Sequence, residues 1–73
     1  SSTLIEYRLP QVGPARIEIF NSRGQLVEVL VDRWHAVGSH TVAWDARQRA
    51  TGTYFYRFLT EGFQQSRKML LVH

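Results

Sequence analysis

Three residue types that together make a serine nucleophile occur in this chain: Ser39, His35 or His40 as base, and Asp32 or Asp45 as the orienting acid. Such a set works only when nucleophile, base and orienter lie within hydrogen-bond reach of one another. Ser39 and His40 are adjacent, so on a strand they point to opposite faces, and the chain has no Gly-x-Ser-x-Gly elbow to present a nucleophile. Asp32, His35 and His40 lack the paired histidine spacing of a metal site. Asp45 ends a run before a turn, where an aspartate hydrogen-bonds the amides that follow it. Glycoside hydrolysis needs two carboxylates about 5 to 10 Å apart across a sugar-sized cleft, and a chain of 73 residues leaves little room to carve one. The residues therefore point away from catalysis, and no cofactor is expected.

Binding is better represented. Trp34, beside His35, lies outside any clear alternation, and an exposed aromatic face is how small β modules stack on sugar rings of a polysaccharide. The competing expectation is that Trp34 folds over one end of the core as a cap. Phe20, Phe55 and Phe63 are further candidates for an exposed patch, and two of them on one face would form a partner surface. Nucleic acid is not expected as a partner. The net charge is +3, but the arginines are scattered singly and Arg67-Lys68 is the one adjacent basic pair, whereas nucleic-acid binding requires a basic stripe.

The elements that position these residues are strands. TLIEYRL at 3–9 alternates, with Ile5, Tyr7 and Leu9 on one face and Leu4, Glu6 and Arg8 on the other. Pro10 ends that run, and Gly13-Pro14 is read as a turn. ARIEIF at 15–20 puts Ala15, Ile17 and Ile19 inward and Arg16 and Glu18 outward; Phe20 falls outward unless a bulge turns it. Asn21 to Gly24 is a hairpin signal. QLVEVLV at 25–31 is too rich in β-branched residues to separate its faces, and a bulge that buries both Val27 and Leu30 is expected. Asp32 to Ser39 reads as a longer loop pivoting on Gly38. His40, Val42 and Trp44 share a face, Tyr54, Tyr56 and Phe58 share another, and Glu61-Gly62 closes the last hairpin. The final run, FQQSRKMLLV, starts polar and ends apolar, so its C-terminal half should lie deepest. Val42 to Phe58 forms the aromatic centre.

Six to seven strands at roughly ten-residue spacing, with no helical period, predict an all-β, antiparallel, immunoglobulin-like β-sandwich in a single domain. A small SH3-like or OB-type barrel is the alternative. No apolar run approaches the roughly 20 residues that cross a bilayer as a helix, and there is no cysteine to form a disulfide or a thiolate metal site. Ser1-Ser2-Thr3 carries no signal peptide. On this reading the chain is either not exported or a piece of a longer protein.

The succession IEYRLP (5–10), ARIEIFNSRGQLVEVL (15–30), GSHTVAWDA (38–46), TGTYFYRF (51–58) and RKMLLVH (67–73) resembles the C-terminal sorting domain of the type IX secretion system. That family is itself similar to the immunoglobulin-like domain of the flagellar hook-capping protein. The resemblance implies a non-catalytic module that directs secretion of a larger protein across the outer membrane and attaches it to the cell surface. Its partners would be the outer-membrane secretion and attachment machinery and, in cis, a parent catalytic domain such as a polysaccharide hydrolase. By position, Gly52, Tyr54 and Tyr56 match the family's Gly-x-Tyr-x-Tyr strand, and Lys68, Met69, Leu70, Leu71 and Val72 its Lys-Met-x-Leu-Leu ending. His73 stands where the family ends on lysine, and the family's Asn-Pro-rich lead-in is absent, which implies a chain beginning inside the native domain. The expected recognition is capture of the final strand by β-augmentation. A carbohydrate-binding module of a glycoside hydrolase, using Trp34 and His35, is the alternative function.

Overall fold

The computed structural model describes residues 2–72, and within them every regular element is a strand. In chain order these are β1 (Ser2–Leu9), β2 (Gly13–Asn21), β3 (Leu26–His35), β4 (Gly38–Asp45), β5 (Gly52–Thr60) and β6 (Phe63–Leu71). They form two antiparallel sheets, β1-β4 and β3-β2-β5-β6. The chain is a six-stranded β-sandwich rather than a closed barrel, because no strand hydrogen-bonds across from one sheet to the other.

Alternation decides what lies between the sheets. Ile5, Tyr7 and Leu9 of β1, Ala15, Ile17 and Ile19 of β2, Trp44 of β4, Tyr54 and Phe58 of β5 and Leu71 of β6 are buried together. Tyr7 packs on Phe58 at 5.4 Å between ring centroids, and Trp44 meets Tyr54 edge-on at 5.2 Å. The Trp44 indole Nε1–H is not left unpaired in this core: it donates to Glu28 Oε1 at 3.0 Å. A buried polar group without a partner would cost about 1–3 kcal/mol.

In β3 the pairing with β2 slips between Ile17 and Glu18 and again between Ile19 and Phe20. Those slips leave Leu30 and Val27 as the extra residues, and both pack partly buried against the core, as the expected bulge requires. Phe20 keeps its outward direction, and the Arg57 guanidinium lies over its ring at 5.1 Å.

Two connections differ from the reading by pattern. Gly13-Pro14 opens β2 instead of making a turn, and the turn falls on Pro10 to Val12. Pro14 is tolerated because it stands at the start of the strand, and its carbonyl accepts the Thr60 hydroxyl at 2.7 Å. Asp32 to Ser39 is not a loop. Asp32–His35 continues β3, paired with Gly13 to Arg16, and Gly38-Ser39 already belongs to β4. Only Ala36 and Val37 lie between the strands, and the chain crosses from one sheet to the other there. Gly38 (φ +121°) takes the backbone conformation that such a crossing demands and that side chains resist. Elsewhere the turns follow their residues. Asn21 Oδ1 accepts the amides of Arg23 and Gln25 at 2.9 and 3.0 Å, and Asp45 accepts the Arg47 amide at 3.3 Å.

Candidate functional site

The triad residues are held apart. Ser39 points outward and accepts from Arg8 Nη1 at 3.3 Å. His40 points inward, its Nε2–H donating to the Ala36 carbonyl at 2.8 Å. Asp32 pairs with Arg16 at 2.8 Å on the outer face of the four-stranded sheet, and Asp45 is clamped by the Arg47 guanidinium. Those contacts from Arg47 hold the Asp45 carboxyl below the ordinary aspartate range.

His35 and His40 do meet, with ring centroids 4.4 Å apart beside Tyr7. The Tyr7 hydroxyl donates to His35 Nε2 at 2.9 Å, and Arg33 Nε–H points at the same nitrogen from 3.4 Å. Nε2 is therefore an acceptor, and the ring proton sits on Nδ1. Burial lowers the His35 pKa, and the charges of His40 and Arg33 push the same way. Burial likewise raises the Tyr7 hydroxyl. Among the described residues no three of His, Asp or Glu are grouped to hold a metal ion.

Trp34 and His35 fall on opposite faces of β3, so they do not make one sugar site. Trp34, 67% exposed, lies on the outer face opposite Pro14, and the expected cap over the core does not form. The reason is register: Asp32 to His35 remain paired to β2, which fixes every second side chain outward. His35 is the inward member and is buried.

Alternation also divides the residues carried over from the sorting-domain resemblance. Gly52 opens β5, Tyr54 is buried with its hydroxyl on the Ala50 carbonyl at 2.7 Å, and Tyr56 is half-buried on the inner face. On β6, Leu71 is buried and Met69 half-buried, whereas Lys68 and Leu70 are exposed, as is Val72 just past the strand. The polar first half of β6 is exposed throughout, so the C-terminal half does lie deepest. His73 lies outside the described residues. Among the described residues β6 is an edge strand, hydrogen-bonded to β5 alone.

On the outer face of this sheet, Leu26, Phe20, Phe55 and Lys68 stand in one cross-strand row, and Leu70 occupies the next row opposite Thr53. Phe20 and Phe55 thus share a face, and Leu26, Phe55 and Leu70 leave apolar surface in water. Phe63 belongs to the other face, edge-on to Phe58.

Sequence pattern does not reveal the charge cluster at the middle of this face. Glu18 points outward yet is buried, because Arg16 Nε donates to Oε2 at 2.9 Å and Arg57 Nε to Oε1 at 2.8 Å. Burial alone would raise its pKa; the two guanidiniums outweigh burial and hold the carboxyl low. Arg57 is 39 residues from Glu18 and reaches it only through the β2–β5 register.

Comparison with family models, with curated proteins and with solved structures finds no match to this chain. Fold and surface define a small antiparallel β-sandwich with an apolar row that crosses the outer face of its four-stranded sheet and ends at Lys68 on the last strand.

Proposed function

We propose that this domain is a non-catalytic sorting and attachment module, which directs a larger extracellular protein across the outer membrane and fixes it to the cell surface. One observation carries the reading. The ending that resembles the sorting signal lies on a free-edged strand, and its outward residues Lys68 and Leu70 adjoin Phe55, Phe20 and Leu26 in one accessible strip. Backbone groups on an unpaired edge offer hydrogen bonds to an added strand, and alternate side chains supply the specificity. The partners are then the outer-membrane secretion and attachment machinery, with the exported protein, such as a polysaccharide hydrolase, in cis. Lys68→Glu combined with Leu70→Asp alters only exposed side chains, so it should leave the fold intact and strand the exported protein inside the outer membrane. Normal surface display of that double variant, with its circular dichroism unchanged, refutes the reading.

The exposure of Trp34 favours a second reading, a carbohydrate-binding module. It predicts retardation of the domain in affinity electrophoresis on xylan or cellulose, abolished by Trp34→Ala. Equal mobility with and without polysaccharide removes it.

A further inference from the structure

The two layers are unequal, and the mismatch leaves a groove. Strands lie about 4.8 Å apart, so two strands cover roughly half the width of four. Tyr7 and Trp44 of the small sheet reach Phe58, Tyr54, His35 and Glu28 of the large one. The inner face of β6 continues past that cover. Phe63 points to the inner side but is 52% exposed, and Gln65 and Arg67 follow it at alternate positions, exposed as well. Above them runs β1, hydrogen-bonded to β4 on one side only. Among the described residues its other edge has no strand partner for its N–H and C=O groups. A cleft of about 300 Å³ lies between this edge and β6, with Tyr7, Phe58 and Phe63 as its apolar lining and Arg67 among its walls.

Arg67 indicates what the groove would take. Arg16, Arg47, Arg49 and Arg57 each pair with a carboxylate, and Arg8, also in the cleft wall, donates to Ser39. Among the described residues Arg67 makes no hydrogen bond or ion pair, and Glu6, the one acid of the cleft, stands on the outward face of β1 without bonding it. Phe63 and Arg67 are four residues apart on one face of a strand, or about 13 Å.

We propose that this groove is the docking site for an extended peptide segment of a partner protein, which adds as a third strand to the free edge of β1. Its inward side chains would be apolar over Phe58 and Phe63 and acidic over Arg67. An apolar and an acidic residue four positions apart meet both at once. The site uses the opposite face of β6 from Lys68 and Leu70, and it stands whether or not those residues are a sorting signal.

The test titrates the whole chain, followed by amide NMR, with nine-residue threonine-rich peptides carrying one leucine and one glutamate four positions apart, in either order. One of the two orders should shift the amides of Glu6 to Arg8 together with those of Phe63 to Arg67. Arg67→Glu, on an exposed residue, should weaken that peptide at least tenfold and bring in the matching lysine peptide. The proposal is overturned by the absence of groove shifts at millimolar peptide, or by equal response to the glutamate and lysine peptides. It is overturned equally by shifts confined to the outer face, or by concentration-dependent broadening of β1 that sedimentation shows to be pairing with a second copy.

Discussion

Replacing Glu18 with glutamine keeps the side chain's shape and removes its charge, which isolates what the clamp between Arg16 and Arg57 contributes. The carboxylate accepts from both guanidiniums, at 2.9 and 2.8 Å, while only a tenth of its own side-chain surface meets water. A hydrogen bond to a charged group contributes roughly 1.5–3 kcal/mol, against roughly 0.5–1.5 kcal/mol for a neutral one. Each arginine is 37% exposed, so solvent screens the pair and the low end applies. The amide retains one acceptor and turns an N–H₂ donor toward the other guanidinium. The net loss is about 2 kcal/mol. In urea, with a slope of about 1 kcal/mol per molar for a chain this small, the midpoint should fall by about 2 M at unchanged slope. The assay is equilibrium unfolding followed by far-ultraviolet circular dichroism at neutral pH. The pH dependence supplies an internal check. Because the folded pKa of Glu18 lies below its unfolded value, the stability it contributes is complete above the unfolded pKa and drains away as pH falls through the folded one. The gap between wild type and Glu18→Gln should therefore close in acid. A midpoint shift under about 0.5 M, or a gap independent of pH, refutes the idea that the cluster stabilises the sheet.

Two further outcomes follow from the inner side. His35 is held neutral against a higher unfolded pKa, so its contribution is complete above the unfolded value of about 6.5 and is lost as pH falls through the lower folded value; thermal melts from pH 7.5 to 5 should show this loss, and His35→Gln should flatten that part of the profile. The two tryptophans should behave oppositely: Trp44→Ala empties a fully buried site and should cost about 3–5 kcal/mol, whereas Trp34→Ala should shift stability by less than about 0.5 kcal/mol. Urea unfolding of the two variants compares them directly, and equal losses would contradict the assigned exposures.

Much of the fold was legible because its strands are half-buried. Ile5, Tyr7 and Leu9, and again Tyr54 and Phe58, declare their inner face by period two alone, and Asn21, Asp45 and Glu61-Gly62 mark turns through short side chains or a missing one. The errors are as local as the successes. Gly13-Pro14 carries turn chemistry but opens a strand, because β3 is there to pair with it. DRWH has no alternation that distinguishes it from a loop, and only its pairing with Gly13 to Arg16 makes it the end of β3. The same pairing separates Trp34 from His35, which adjacency in sequence had joined in one sugar site.

By itself, then, the sequence determined the all-β class and most of the inner face, and held the strands to six or seven, since a chain of alternating apolar residues and tight turns has few ways to bury what it carries. Tertiary structure decided which strands lie side by side. That choice brings Arg57 to Glu18, Lys68 to Phe55 and Tyr7 to His35, and it leaves β6 half uncovered beneath the free edge of β1. Cross-strand neighbours are set by register between distant segments, and a one-residue slip reverses every face. No local pattern records which register the whole core prefers.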